Sequence, residues 1–117
     1  MLRQVLHNLL QNAQDALVGK KSPVISVVTE NVNGMLVLAV QDNGGGFAAD
    51  MMPHIFEPYM TSKPHGTGLG LAIVKKIVEE HKGSIKVENT TDSTGEASGA
   101  VVTISMPLFT EVTENTI

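Results

Sequence analysis

Met35-Leu-Val-Leu-Ala-Val-Gln-Asp42, running straight into Asn43-Gly44-Gly45-Gly46, decides how this chain is read. The first six residues form an apolar run of strand length, Gln41 and Asp42 end it, and the glycines stop the strand. Upstream, Asn33-Gly34 separates this run from another, Val24 to Glu30, and Asn-Gly between two such runs is a strong hairpin signal. Residues 24–30 and 35–42 are therefore expected to be paired strands.

Working outward, residues 1–18 read as an amphipathic helix. Leu2, Val5, Leu6, Leu9, Ala13, Ala16 and Leu17 fall in one stripe at about 100° per residue. Gly19 and Pro23 then stop it. Residues 50–57 read as a short helix with Asp50 as cap and Pro53 in its first turn. A loop rich in Pro, Ser, His and Gly covers 58–67. A second long helix is expected over 69–81, burying Leu69, Ile73, Val74, Ile77 and Val78. His81 and Lys82 lie in its last turn, with Gly83 after them. Residues 84–90 and 100–106 are expected strands, joined by a polar loop. This order implies an α/β two-layer sandwich, with a mixed, mostly antiparallel sheet and helices on one face. One domain over 1–109 is expected, starting inside a helical pattern as a trimmed fragment does, with a polar tail over 110–117.

Composition narrows the function. The chain has 117 residues, 42% hydrophobic, enough to bury roughly two-thirds of the unfolded surface without staples. There are no cysteines, which excludes disulfides, thiolate metal sites and thiol nucleophiles. A net charge of −4 offers no basic face for nucleic acid or for a membrane surface. No apolar run approaches the roughly 20 residues of a membrane span, and no signal-peptide pattern opens the chain. A cytoplasmic setting is expected.

Three features carry chemistry. Asn8, Asn12 and Asp15 stand at i, i+4 and i+7 on the first helix, beside its apolar stripe. Asparagine is a poor helix former, and an amide oxygen suits Mg²⁺, which takes few protein ligands and bridges phosphates. Solvated or backbone-capping amides are the plainer reading. Asp42, at a strand end, can accept the exocyclic N–H of adenine, whereas guanine puts an acceptor oxygen there and is repelled. The glycines that follow allow close approach of a ligand, and an ordinary turn is the plainer reading. Gly44, Gly46 and Ala49 also match the dinucleotide-binding fingerprint by letter, but no long helix and no acidic residue about 20 positions on follow them. Third, Gly66-Thr67-Gly68-Leu69-Gly70-Leu71 leads into the second helix, where free N–H groups and the helix dipole can hold phosphate. Lys63 is the nearest upstream cation. No Walker A pattern occurs.

These segments resemble, in order, the motifs of histidine kinases. Asn8-Leu-Leu-Gln-Asn12-Ala-Gln-Asp-Ala is similar to the N box, Asp42-Asn-Gly-Gly-Gly46 to the first glycine box and Ile55-Phe56-Glu57-Pro58-Tyr59 to the F box. Gly66-Thr-Gly-Leu-Gly70-Leu-Ala-Ile-Val resembles the second glycine box, and Ser98-Gly99 to Met106-Pro107 the closing strand. The five matches span about 5–107 and look most like nitrogen-regulation-type sensor kinases. The resemblance implies a Bergerat fold that binds Mg·ATP and passes the γ-phosphoryl group to a histidine. Asn12 would ligate Mg²⁺ with Asn8 assisting, and Asp42 would hold adenine with Gly44 and Gly46 close to the base. Lys63, in a lid over 58–67, would reach the phosphates, Thr67, Gly68, Leu69, Gly70 and Leu71 would wrap them, and Phe56 would anchor the lid. Asp15 and Thr103 are counted among the cofactor contacts.

No acceptor histidine is recognisable here. His7 precedes Asn8 rather than an acidic residue and reads as structural, and His54, His65 and His81 lack metal-ligand spacing. The partner implied is a separate dimerisation domain carrying that histidine and, through it, a response regulator. The isolated domain is expected to be a monomer, and the parent a homodimer that an inner-membrane anchor would suit. Relatives often have a basic or aromatic residue where Asp15-Ala16 stand, and a threonine at Ala100. The ATPase branches carry a glutamate at the place of Asn8, and an amide cannot take up a proton. A nucleotide-gated switch, an anti-sigma-type serine kinase and an ATPase are the alternatives within the superfamily.

Overall fold

The computed structural model describes residues 2–58 and 70–107. Helix α1 (Leu2–Ala16) is followed by strands β1 (Ile25–Val32) and β2 (Met35–Asp42) and by a 3-10 turn at Met52–His54. Helix α2 (Gly70–Glu80) then leads to strands β3 (Ser84–Thr91) and β4 (Ala97–Pro107). The four strands form one sheet in the order β1-β2-β4-β3. All three pairings are antiparallel, so the expected mixed character is not found among the described residues. The expected tail over 110–117 lies outside them.

Local chemistry explains the elements. Asn33 and Gly34 take φ of 52° and 81°, the left-handed pair that a two-residue hairpin turn needs to match strand twist. Asn31 Oδ1 accepts the Gly34 amide at 3.2 Å and braces that turn. At the other hairpin, Asp92 accepts from the Thr94 hydroxyl and from the amides of Thr94 and Glu96, and these bonds hold its carboxyl below the usual carboxylate range. Helix α2 ends with Gly83 N–H on the Val78 carbonyl and Lys82 N–H on that of Glu79, a Schellman closure. The left-handed residue is Lys82 (φ 62°), outside the helix, rather than the glycine expected to follow the last cation.

The core lies between the sheet and the two helices. Val5, Leu9 and Ala13 form the buried line of α1, and Leu71, Val74 and Val78 that of α2. Both lie over Leu38 and Val40 of β2 and Val102, Ile104 and Met106 of β4, alternate residues that share one sheet face. The expected stripes were too broad. Leu2 is 41% and Ile73 38% exposed, since each helix buries one line of side chains against a single sheet face. Ala16 is exposed because the helix ends there. The 3-10 turn has no side-chain cap, so Asp50 does not act as one; Met51 occupies the cap position and Pro53 the first turn. Among the described residues no helix is long and apolar enough to cross a membrane.

Ile104 is fully buried at the centre of this layer. Ile104→Ala should cost about 2–5 kcal/mol, read as a lower urea midpoint at unchanged slope. A cost under about 1 kcal/mol would contradict the packing described.

Candidate functional site

The amide face of α1 leads to the start of α2. Asn8, Asn12 and Asp15 are all partly buried beside the Val5–Leu9–Ala13 line. The Asn8 Nδ2 group is buried without a hydrogen-bond partner, and Asn8 Oδ1 accepts only a long 3.5 Å bond from Gln4 Nε2. An orphaned buried donor costs about 1–3 kcal/mol until an acceptor reaches it. Asn12 lies under the first residue of α2. A Cβ on Gly70 would meet Asn12 Oδ1 at 3.2 Å and Nδ2 at 3.5 Å, so the helix start and the amide share one surface. Asp15 accepts from Gln11 Nε2 at 3.2 Å.

One turn further along α1 stands the second half of the site. Asp42 closes β2 and is the buried charged residue among those described. Its Oδ1 accepts the Gly44 amide at 2.9 Å, which curls the backbone back over the carboxylate. Gly44 is packed against the end of α1, where a Cβ would lie 2.5 Å from the Ala16 carbonyl oxygen. Beneath Asp42 runs Gly99 of β4, with φ of 150°, where a Cβ would come within 2.0 Å of the Asp42 carbonyl oxygen. A side chain fits at neither position.

Two asparagines grip the ends of the glycine run. Asn43 Oδ1 accepts the Val24 amide at 2.8 Å, and its Nδ2 donates to the Ser22 carbonyl at 2.9 Å, tying the run to the α1–β1 connection. Asn89 of β3 does the same at the exit, accepting from Phe47 N–H and donating to Phe47 C=O, each at 2.8 Å. Sequence reasoning assigned neither role. Asn43 sits inside a turn-like Asp-Asn-Gly that hinted at local bonding, but nothing near Asn89 signals Phe47.

Among the expected site residues, the structure therefore brings Asn12 to Gly70, and Asp42 and Gly44 to the same end of α1. Gly46 lies against Asn89. One expectation needs correction. Thr103 pairs with Ala39 and Lys86 and so stands on the sheet face opposite Asp42, because side chains alternate along β4 from Ala100. Leu71 is 7% exposed within the core, which leaves only its backbone for a ligand. Phe56 is partly buried against the core, with the Lys75 ammonium 5.6 Å from its ring centre. Lys63, Thr67, Gly68 and Leu69, with the rest of the expected lid up to Tyr59, lie outside the described residues. The described histidines have ordinary roles. His54 Nδ1 pairs with Glu57 at 2.7 Å, His81 Nδ1 donates to the Ile77 carbonyl at 2.8 Å, and His7 is exposed.

The model of the histidine kinase-, DNA gyrase B- and HSP90-like ATPases matches residues 1–110. The chain belongs to this family. Among curated relatives it is 47% identical over 93 residues to the C4-dicarboxylate transport sensor protein DctB of Rhizobium meliloti, covering 80% of this chain and 15% of that one. It is 42% identical over 108 residues to the sensor histidine kinase ZraS of Salmonella typhi, covering 92% of this chain and 22% of that one. The solved catalytic domain of the histidine kinase ThkA superposes with a TM-score of 0.75 at 34% identity, over 91% of this chain and 65% of that one. The chain is thus similar over most of its length to histidine kinase catalytic domains, and it spans about a fifth or less of the curated relatives' length.

The approach of Gly99 to Asp42 makes the site part of the sheet itself. Gly99→Ala should lower stability by about 1–3 kcal/mol, seen as a lower melting temperature. An unchanged melting temperature would mean that β4 does not pass beneath Asp42 at this distance.

Proposed function

We propose that this domain binds Mg·ATP and presents its γ-phosphoryl group to a histidine on a separate helical dimerisation domain. The observation that carries the reading is the pairing, along one helix, of an amide under a glycine helix start with a buried carboxylate beside a glycine run. The Gly44 amide bonds Asp42 Oδ1, and the second carboxylate oxygen would accept from an adenine amino group. The start of α2 would offer backbone N–H groups and the positive end of its dipole to phosphate. The orphaned Asn8 Nδ2 fits a phosphate oxygen or a bound water.

Magnesium would be held by the Asn12 oxygen, with Asn8 assisting directly or through water, and two amides with no carboxylate suit an ion that keeps most of its waters. When bound, the ion neutralises charge on the β- and γ-phosphates. The chain's own residues fix the base at Asp42, seat the phosphates at the α2 start and exclude a proton acceptor at Asn8, since an amide is no general base. This supports transfer to a partner over hydrolysis. The work is positioning and charge stabilisation. The resemblance assigns Lys63 to the phosphates and Phe56 to anchoring the lid. The partner reading follows from the sensor kinases it resembles: a phosphoacceptor domain, and through it a response regulator, in the cytoplasm, within a homodimeric parent.

Two measurements test this. Asp42→Ala should weaken binding of a fluorescent ATP analogue at least tenfold, since a charge-assisted contact contributes about 1.5–3 kcal/mol, and near-unchanged binding would defeat the assignment. With γ-labelled ATP and a helical His-bearing domain added in trans, label should appear on the partner in an acid-labile, base-stable form. Steady phosphate release by the chain alone, without transfer, would move the reading to an ATPase.

A further inference from the structure

We propose that Asn89 is a positioning residue for the nucleobase end of the site, one that touches no nucleotide and acts through the glycine run. The inference rests on the nucleotide reading above. Asn89 lies in β3, 42 positions from Phe47, in none of the segments that resemble known motifs. Its amide is used at both ends: Oδ1 accepts from Phe47 N–H and Nδ2 donates to Phe47 C=O, each at 2.8 Å. Only a primary amide offers a donor and an acceptor side by side in this way. The side chain thus supplies to Phe47 the paired bonds that a neighbouring strand would supply.

Its place in the sheet explains why this grip matters to the base. Asp42 pairs with Ala100 of β4, and Ala100 pairs with Asn89 of β3. Directly paired antiparallel residues face the same side, so Asp42, Ala100 and Asn89 form one row on the face that carries the site. Ala100, small and buried, separates the carboxylate from the amide. Between Asp42 and Phe47 the chain is Asn43 and three glycines, the residue type with most backbone freedom to lose. Asn43 fixes the entry of that span on Ser22 and Val24, and Asn89 fixes the exit. The Asn89 oxygen also occupies the space beside Gly46, 2.8 Å from where a Cβ would be. Without Asn89 the exit keeps, among the described residues, the packing of the Phe47 ring against the core. The backbone that walls the adenine beside Asp42 then samples other conformations, while the phosphate end at α2 is untouched.

The experiment compares the full chain with Asn89→Ala, Asn89→Asp and Asp42→Ala. It measures the affinity of a fluorescent ADP analogue, competition by ADP, GDP and tripolyphosphate, and the melting temperature. Asn89→Ala should weaken ADP about tenfold, the size expected from two neutral hydrogen bonds. It should also narrow the preference for ADP over GDP and leave tripolyphosphate competition at the wild-type value. Asn89→Asp keeps the acceptor for Phe47 N–H but sets a carboxylate oxygen against the Phe47 carbonyl, so it should weaken ADP at least as much as Asn89→Ala. A merely structural role would lower the melting temperature and the active fraction, leaving the dissociation constant and the ADP:GDP ratio of the folded fraction unchanged. That result in Asn89→Asp, which keeps the size of the side chain, would overturn the proposal even if Asn89→Ala did not fold. If wild type failed to bind ADP, or Asp42→Ala bound it normally, the nucleotide reading itself would fall and take this inference with it.

Discussion

At the candidate site backbone meets backbone with no side chain between, Gly99 beneath Asp42 and Gly44 against the last carbonyl of α1. These contacts fix the height of the β2 end over β4 and its distance from the helix. Asn12 and Asp42 belong to the two elements so joined, and their relative placement follows from that packing. Protein interiors at this density do not deform continuously. The carboxylate is therefore presented at a set depth, held by a single backbone amide that curls over it.

The division of labour along α1 is equally direct. One line of side chains, Val5, Leu9 and Ala13, anchors the helix to the sheet, and the adjacent line, Asn8, Asn12 and Asp15, is left at the edge of the core. Burial of the first line supplies the fold energy that tolerates an unpartnered amide in the second. Stability and ligand chemistry thus share one helix without sharing residues.

Much of this was legible in the sequence, and the reasons differ by element. The β1–β2 hairpin was readable because Asn33-Gly34 encodes a left-handed pair locally. Helix α1 was readable from its period, but the width of its stripe was not, because exposure depends on what packs opposite. The end of α2 was misplaced by one residue: Lys82 takes the left-handed position, and Gly83 is needed where a Cβ would lie 2.4 Å from the Ser105 carbonyl. Thr103 was misassigned because the face of a strand residue depends on register, and one position reverses it. Asn89 was invisible because its bonds reach a residue far away along the chain. Local grammar revealed Asp42 and the glycines, whereas the groups that hold them still come from tertiary structure.

The strand order has a consequence for how the molecule comes into being. Strands β1 and β2 zip through a two-residue turn, and β3 and β4 through a short loop, so both ribbons form from near neighbours. The β2–β4 seam instead joins Met35–Asp42 to Ala100–Pro107, closing a long excursion of chain that contains the glycine run and α2. Loop closure puts the entropic barrier on that seam. The Asp42–Ala100 pair lies at its extremity, so the candidate site is complete only when the two ribbons dock, and the longest loop to be closed is the one that assembles it.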